Sequence, residues 1–380
     1  MRWHIDSFIL LALGSQAWEL PAPPGQTRLF NAIDDSDVHI ISGSQVNGLT
    51  TYGGLPFVNC LSDQHDENDK YDIAILGAPF DIGVTARPGA RYGPRGIRVG
   101  SERIQPDFAW DPCTGKNPFK SWATIVDCGD AALTPLDKNA ALAQLDRAYR
   151  VVSGKRASNE SQSMTPRIVM LGGDHTITLS ALRSTYKRWG KVSMLHFDSH
   201  IDTWDPTVLG GGISDYAGLN HGTFLHIAHE EGLISNTSLH AGIRAPLARR
   251  KGDTRNDLRC GFATLMARDL DRLGTAGLVS AILQRLGGGK VYVSVDIDVL
   301  DPAYAPATGT PEPGGWTTRE LLTILDGLRD AGLEVVGGDV VEVSPIYDTR
   351  GETTALAAAH VALALIDMMV ETPVKSLADE

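Results

Sequence analysis

The chain has 380 residues, of which 42% are hydrophobic and 21% are charged, as in a soluble globular protein with a large core. This length suits either two average domains or one large α/β domain. The net charge of −12 argues against nucleic-acid binding, because proteins that hold a phosphate backbone need basic patches. The acidity favours a cationic substrate, but it can equally serve solubility alone. No apolar stretch approaches the length needed to span a bilayer, so no membrane segment is expected.

The N-terminal residues allow two interpretations. An apolar run at residues 8–13 followed by Ser15-Gln16-Ala17 has the pattern of a secretory signal ending at residue 17. The run is short, however, and Asp6 precedes it, which instead fits a loosely docked tail. The expected location is therefore secretory or cytoplasmic.

The cysteines do not form a metal or redox motif. They are Cys60, Cys113, Cys128 and Cys260. None of them belongs to a C-x-x-C pair, so we expect buried small residues or, in a secreted protein, one or two disulfides.

The chain is predicted to contain one catalytic domain. Residues 18–67 are rich in Gly, Pro, Asn and Asp and are interpreted as an irregular N-terminal extension. Residues 68–372 form the domain, and residues 373–380 form a C-terminal tail. From residue 71 onwards, short β-branched runs alternate with helix-period segments, which is typical of a βαβ sheet.

Eight of these runs are predicted strands. They are residues 71–77, 122–126, 167–171, 192–197, 239–243, 262–265, 291–295 and 333–336. Helices are predicted at residues 139–152, 178–189, 278–286 and 354–369, and another begins at Thr317. There, Thr317-x-x-Glu320 forms a capping box before an apolar stretch. The pattern predicts a single three-layer α/β/α domain with an eight-stranded, mostly parallel sheet.

Aspartate and histidine side chains follow three of the predicted strands. Asp198, His200 and Asp202 come directly after one strand, and their i, i+2, i+4 spacing places them on one side of an extended chain. Asp296 and Asp298 end a second strand, and Gly172-Gly173-Asp174-His175 follows a third. The carboxyl ends of parallel strands share one edge, where ligand sites form. Two histidines and four aspartates are therefore expected to converge.

These six side chains predict a metal site. Four carboxylates in one pocket repel each other unless cations neutralise them. Their oxygen-rich set with two imidazoles suits Mn²⁺ better than structural Zn²⁺, and a pair of ions can activate water for hydrolysis. Each motif alone is more often a turn or a helix cap. The coincidence of three strand-end clusters favours the metal site.

The same motifs resemble the ureohydrolase family of arginases, agmatinases and guanidinobutyrases, over residues 71–369. The resemblance is carried by Gly172-Gly173-Asp174-His175, by Asp198-Ser199-His200-Ile201-Asp202-Thr203 and by the segment 294–302 that contains Asp296 and Asp298. It extends to the loop Ala305-Pro306-Ala307-Thr308-Gly309-Thr310-Pro311. The resemblance implies an arginase/deacetylase-like fold, two Mn²⁺ ions per subunit and a homo-oligomer, a trimer or a hexamer.

The resemblance also implies residue roles. His175 and Asp202 would bind the first ion, His200 and Asp298 the second, and Asp198 and Asp296 would bridge them. Glu342 would pair with the substrate guanidinium, which forms bidentate hydrogen bonds to carboxylates. His221 would carry a proton to the leaving amine. The other histidines, such as His226, His229, His240 and His360, are expected to be ordinary residues.

The implied substrate is a small cationic guanidino compound. Residues 205–220 differ from the arginase loop that binds the α-amino and α-carboxylate groups of arginine. Asp202-Thr203 followed by His221-Gly222-Thr223 instead resembles agmatinases, which release urea and putrescine from agmatine. A guanidinobutyrase or another guanidino-acid hydrolase is the alternative, and an arginase is less favoured. Two rivals of other classes are a two-metal phosphoesterase and a non-catalytic family member.

Overall fold

A computed structural model describes residues 49–62 and 70–379 of the chain, and its centre is one eight-stranded sheet. The strands are β1 (Ile73–Gly77), β2 (Ile125–Asp130), β3 (Arg167–Leu171), β4 (Ser193–Phe197), β5 (Ser238–Ile243), β6 (Phe262–Met266), β7 (Val291–Asp296) and β8 (Val335–Val341). Their order across the sheet is β2-β1-β3-β8-β7-β4-β5-β6.

All eight predicted strands are confirmed, and every neighbouring pair is parallel. The sheet, predicted to be mostly parallel, is therefore entirely parallel. Each crossover runs through a helix or loop on a face of the sheet, as parallel strands require. The largest shifts are at β2 and β8, which end four and five residues later than the apolar pattern suggested, at Asp130 and Val341. Polar and glycine residues interrupt the apolar pattern in these segments, so the predicted strands ended too early.

Helices cover both faces of the sheet. They are α1 (Gly93–Gly100), α2 (Lys138–Val152), α3 (Thr178–Trp189), α4 (Pro206–Leu209), α5 (Asp215–Gly218), α6 (Phe224–Glu230), α7 (Arg250–Arg259), α8 (Asp269–Leu286), α9 (Thr318–Asp330) and α10 (Thr353–Glu371). Strand residues alternate between two cores. In β1, Ile73 and Ile75 belong to the core that contains residues of α1, α8, α9 and α10, whereas Ala74 and Leu76 belong to the core that contains residues of α2, α3 and α6. This alternation confirms the three-layer α/β/α domain.

Helix α10 corrects the expectation that no apolar stretch approaches the length of a membrane span. By length and composition alone this helix could cross a membrane. Most of it is buried, however, against β8, α1 and α9. A central helix of an α/β domain meets the same criteria, since apolar neighbours surround it.

The segment 49–62 packs into the domain although it contains only one short turn of 3-10 helix. The Tyr52 amide donates to Asp127 Oδ2 at 2.7 Å, and the Tyr52 hydroxyl donates to the Ala359 carbonyl at 2.6 Å. A disulfide joins Cys60 to Cys128 of β2. Of the other cysteines, Cys113 is exposed and Cys260 is buried, and both are free. The predicted signal at residues 1–17 lies outside the described residues.

The capping box of α9 is formed as predicted. The Glu320 amide donates to Thr317 Oγ1 at 3.2 Å, and the Thr317 amide donates to Glu320 Oε2 at 2.8 Å. We expect Thr317→Ala to lower the free energy of unfolding by about 1 kcal/mol, because the Glu320 amide at the helix start loses its acceptor, the Thr317 hydroxyl. Urea denaturation of this variant beside Thr317→Ser, which keeps the hydroxyl, measures the effect. Equal stability of the two variants would contradict the capping role.

Candidate metal centre and substrate pocket

The predicted site residues lie at the carboxyl edge of four adjacent strands. Strands β3, β8, β7 and β4 are consecutive in the sheet, so the residues that follow them meet. His175 follows β3, Glu342 follows β8, Asp296 and Asp298 lie at the end of β7, and Asp198, His200 and Asp202 follow β4. The strand order, which the sequence does not state, is therefore what assembles the site.

One cluster surrounds Nδ1 of His175. This atom lies 3.2 Å from Oδ2 of Asp198, 3.2 Å from Oδ2 of Asp202 and 3.3 Å from Oδ2 of Asp296. All four side chains are buried. Three carboxylate oxygens and one imidazole nitrogen thus enclose one small volume.

A second cluster surrounds His200. Its Nδ1 lies 3.3 Å from Oδ1 of Asp198 and 3.1 Å from Oδ2 of Asp298. Asp198 therefore presents one oxygen to each cluster, as a bridging ligand would. Oδ1 of Asp198 also accepts the His200 amide at 2.5 Å, and Oδ1 of Asp296 accepts the Asp298 amide in the same way at 2.8 Å.

The pKa shifts of these groups show that the buried carboxylates repel each other. Burial and the neighbouring Asp298 raise the pKa of Asp296 well above its ordinary value, and burial with Asp198 raises the pKa of Asp202 to about 6. The pKa of Asp198 is well below its ordinary value despite burial, because histidines surround it. Burial would lower the pKa of His175, yet its carboxylate contacts raise it well above the usual range. Because the carboxylates and histidines hold protons strongly in the absence of metal, divalent cations can replace those protons and neutralise the cluster.

The donor set fits a pair of metal ions. Nδ1 of His175 and Oδ2 of Asp198 are buried and have no hydrogen-bond partner among the described residues. Unpaired polar atoms are costly in an interior, so they indicate a missing ligand. Two groups have the spacing to hold an ion: His175 with His196, Asp198 and Asp202, and His200 with Asp198 and Asp298.

The outer nitrogen of His175 is fixed by a second row of hydrogen bonds. Its Nε2 lies 2.7 Å from Oγ of Ser294, and Ser294 donates to Oδ1 of Asp339 at 2.5 Å. Because Ser294 gives its proton to the carboxylate, its oxygen accepts from His175 Nε2–H. When the ring is neutral, as a metal ligand must be, its lone pair is consequently on Nδ1, facing the aspartates.

Two site residues have left-handed backbones. Asp202 has a φ of 50° and Glu342 a φ of 63°, values that non-glycine residues rarely adopt. Hydrogen bonds hold both, since the Leu225 amide donates to the Asp202 carbonyl at 3.1 Å and the Glu342 amide to the Gly173 carbonyl at 2.9 Å. Such strain persists where the surroundings fix it, which is common at functional sites.

Glu342 and His221 form a pair beside the metal cluster. Oε1 of Glu342 lies 2.9 Å from Nδ1 of His221 and also accepts the His175 amide at 2.8 Å. Oε2 of Glu342 is buried and has no hydrogen-bond partner among the described residues. One oxygen of this carboxylate is thus committed to the protein, and the other is left for a ligand.

Thr85 holds the opposite edge of the His221 ring. Its Oγ1 lies 2.7 Å and its amide nitrogen 3.1 Å from His221 Nε2. Burial would lower the pKa of His221, but Glu342, with help from Asp202 and Asp174, raises it to about 9. Because the Thr85 amide donates to Nε2, this nitrogen carries a lone pair while Nδ1–H is donated to Glu342, and the raised pKa means that Nε2 readily takes up a proton.

Asp174 of the Gly172-Gly173-Asp174-His175 motif supports this pair rather than the metal cluster. Its Oδ2 accepts the Gly83 amide at 2.7 Å, and its Oδ1 accepts the Thr176 amide at 2.9 Å. The Gly83 carbonyl in turn accepts the His221 amide at 3.1 Å. Asp174 thereby fixes the loop that carries Thr85, and this loop in turn holds His221.

A cavity of about 110 Å³ opens onto the cluster. It is lined by Thr85, His200, Asp202, Trp204, Leu209, His221, Gly222, Asp296 and Thr310. No lysine or arginine belongs to this lining. Nearby, the Arg244 guanidinium donates to backbone carbonyls, including those of Asp298 at 2.6 Å and Glu312 at 2.8 Å. The Glu312 carboxylate lies 3.8 Å from His200 Nε2.

Several residues of the site escaped the sequence analysis. His196 is fully buried, and burial lowers its pKa to about 3 although Asp198 opposes the shift. His240, expected to be ordinary, is also buried and lies 2.8 Å from His196 through the two Nδ1 atoms. The two-residue spacing of His196 from Asp198 could have identified His196, because it places both side chains on one side of the strand. Thr85 and Trp204 lie in loops, where no sequence pattern marks them.

Comparison with known proteins identifies the family of this chain. The model of the arginase family matches residues 71–367. A Schizosaccharomyces pombe protein provisionally named agmatinase 1 is 44% identical over 97% of this chain and 96% of that protein. The guanidinobutyrase of Pseudomonas aeruginosa is 37% identical over 82% of this chain and 89% of that enzyme.

A solved structure shows the same fold. Proclavaminate amidinohydrolase from Streptomyces clavuligerus superposes with a TM-score of 0.72 and 32% identity, over 86% of this chain and 99% of that one. The family model covers most of the chain, and the relatives match it along nearly their whole lengths. The chain therefore belongs to the arginase family and is a hydrolase that acts on amidino C–N bonds.

Proposed function

We propose that this enzyme hydrolyses agmatine to urea and putrescine at a centre of two Mn²⁺ ions. The observation that carries the proposal is the buried Glu342, whose Oε2 receives no hydrogen bond from any of the described residues. Agmatinase is also the activity named for the 44% identical relative from Schizosaccharomyces pombe.

The metal assignment follows from the donor atoms. His175, Asp198, Asp202 and Asp296 would hold the first ion, and His200, Asp198, Asp296 and Asp298 the second. Four carboxylates balance two divalent charges, and this oxygen-rich set suits Mn²⁺. When bound, such ions polarise the substrate and make water a strong nucleophile at neutral pH.

Glu342 would bind the guanidinium. A planar guanidinium donates two parallel hydrogen bonds to a carboxylate, and such a pair is strong where water is excluded. Glu342 is 0% exposed, and its Oε1 is shared with the His175 amide and His221. The position of its Oε2 therefore sets where the substrate carbon can lie relative to His175.

The pocket lining favours a cationic tail. Guanidino acids and arginine carry a carboxylate that would need a cationic partner, and the lining contains no lysine or arginine. Arg244 cannot serve, since its N–H groups are taken by carbonyls. Trp204 and Leu209 offer apolar surface to a methylene chain, and Glu312 adds negative charge near the mouth.

His221 would transfer the proton that the leaving amine needs. Its Nε2 lies 2.7 Å from the Thr85 hydroxyl, and both residues line the cavity, so a proton taken up at Nε2 would be close to the substrate. Breaking the C–N bond leaves an amine that must be protonated, and an imidazolium near it can donate. Glu342 would hold that imidazolium as well as the substrate, which couples binding to proton transfer.

We expect agmatine to be the best substrate by kcat/KM, by at least about tenfold over 4-guanidinobutyrate and arginine, because an unpaired carboxylate in the pocket costs more than about 1.4 kcal/mol. Urea release by the Mn²⁺-loaded protein measures this. Chelator treatment should abolish the release, and added Mn²⁺ should restore it. Higher kcat/KM for a guanidino acid would reassign the substrate, and phosphate release from phosphoesters without urea would refute the function.

Replacing Glu342 by Gln should lower kcat/KM for agmatine by about 10²–10³, since a neutral amide cannot pair with the guanidinium charge. The Gln oxygen can still accept the His175 amide, so the Mn²⁺ content should match that of the native protein. Metal analysis and steady-state kinetics on the same preparation separate the two effects. Native kinetics in Glu342→Gln would show that the guanidinium binds elsewhere.

The pH profile should contain a limb due to His221. Its pKa is raised to about 9, so the protonated form is present below that pH and is lost above it. We expect kcat/KM to decline above about pH 9, and His221→Gln to remove this decline while lowering the neutral rate by about 10²–10⁴. Initial rates of urea release between pH 6 and about 10.5 measure both. An unchanged alkaline limb in His221→Gln would assign the proton donor to another group.

A further inference from the structure

His196 lies beside the first cluster although the implied ligand set does not include it. It precedes Asp198 by two residues, so both side chains project to the same side of β4. Its Nε2 is 3.0 Å from Oδ2 of Asp198 and 4.0 Å from Oδ2 of Asp202. The side chain is 0% exposed. His196 is therefore near enough to the first ion position to take part in it.

The contact between His196 and Asp198 is not a satisfied hydrogen bond. Nε2 of His196 and Oδ2 of Asp198 are both buried, and neither has a hydrogen-bond partner among the described residues. Nδ1 of His175 shares this state. Three polar atoms that are close together but not bonded to each other indicate a common partner between them.

A chain of hydrogen bonds on the far side of His196 selects its tautomer. Nε2 of His240 lies 2.9 Å from Oδ1 of Asp257, and a carboxylate only accepts, so His240 Nε2 carries a hydrogen. In a neutral His240, Nδ1 is then an acceptor. It lies 2.8 Å from Nδ1 of His196, which must be the donor. The remaining nitrogen of His196, Nε2, carries a lone pair.

The alternative tautomer fits less well. A doubly protonated His240 would give its Nδ1–H to His196 and leave a hydrogen on His196 Nε2. That hydrogen would point to Asp198 Oδ2 and form a hydrogen bond, which the geometry does not contain. It would also place a net charge on two fully buried rings. The neutral arrangement satisfies Asp257, His240 and His196 Nδ1 together.

The arrangement repeats that of His175. There, Nε2 is tied through Ser294 to the carboxylate of Asp339, and Nδ1 faces the aspartates. A histidine whose outer nitrogen donates toward a carboxylate is the usual form of a metal-binding imidazole. The spacing also fits, since metal–ligand bonds of about 2.1 Å at right angles separate neighbouring ligand atoms by about 3 Å. The contacts of His175 and His196 with Asp198 Oδ2 are 3.2 and 3.0 Å.

We propose that Nε2 of His196 is a further ligand of the ion held by His175, Asp198 and Asp202, and that His240 and Asp257 are positioning residues that present it. The proposal rests on the metal centre of the proposed function. It makes the two ion positions unequal, because the first has two imidazoles and the second, at His200, has one. The first ion should therefore be held more tightly than the second.

The sharpest test is a crystal structure of the Mn²⁺-loaded enzyme with the ions located by anomalous scattering. The proposal expects a distance of about 2.0–2.4 Å between His196 Nε2 and the first ion. A distance beyond about 3 Å, with both ions bound, would overturn this proposal and leave the proposed function intact. Failure of the protein to bind Mn²⁺ at all would overturn both.

Metal affinity gives an independent measurement. His196→Phe keeps a planar ring but removes the donor nitrogen, and His240→Leu removes the acceptor that orients it. Each should weaken the tighter of two Mn²⁺ equivalents by about 10–100-fold in competition with a chelator, with little effect on the weaker one. His240→Gln, whose amide can bond to both neighbours, should recover much of the affinity. Unchanged affinity in a folded His196→Phe protein would contradict ligation.

A matched control separates ligation from general destabilisation. Asp72 is buried and accepts the Thr124 and Asn159 amides at 2.8 and 2.7 Å just before β1, at the opposite edge of the sheet. Asp72→Asn should lower thermal stability and leave both Mn²⁺ affinities unchanged. If Asp257→Asn and Asp72→Asn lower stability equally and neither changes Mn²⁺ affinity, the role of Asp257 is purely structural.

Discussion

The repulsion among buried carboxylates is the constraint on which the rest of this structure depends. Asp198, Asp202, Asp296 and Asp298 meet in a volume from which water is largely excluded, and the raised pKa of Asp296 and of Asp202 expresses the cost. A fold can hold such a cluster only if many other interactions stabilise it and a cation completes it. The two apolar cores on either face of the sheet supply the first condition, because they fix the strands that end at the cluster. The donor atoms supply the second.

Hydrogen bonds behind the cluster determine which atom of each side chain faces it. Asp339 acts through Ser294 on His175, and Asp257 acts through His240 on His196. These second-row carboxylates accept from hydroxyl or imidazole groups, so they direct lone pairs inward. The left-handed backbone of Glu342 serves the same purpose, since it turns the carboxylate toward His221 as β8 ends. Strain and buried polar groups are thus concentrated where they orient reacting atoms.

The sequence predicted the strands, the capping box of α9 and the positions of the Asp and His motifs because each depends on local pattern. It could not reveal the strand order, which brings β3, β8, β7 and β4 together from positions more than 160 residues apart. Nor could it show that His196 and His240 meet, since residues 44 apart in the chain become neighbours only when β4 pairs with β5. The sequence-based expectation underestimated the apolar stretch of helix α10, whose composition meets the criteria of a membrane span although most of the helix is buried within the domain. Pairing and burial are tertiary properties that no short window contains.

Charge balance connects the metal centre with the choice of substrate. In the proposed complex, four aspartates offset two divalent ions, and Glu342 pairs with the guanidinium. His221 shares Glu342 with the substrate, and a cation bound at Oε2 lowers the tendency of the imidazole to keep its proton. Substrate binding would thus prepare His221 to donate. Hydrolysis then converts the guanidinium into neutral urea and moves its charge to the new ammonium, so Glu342 loses its partner at the step when product must leave. The carboxylate that selects a guanidino compound therefore no longer holds the product once the C–N bond is broken.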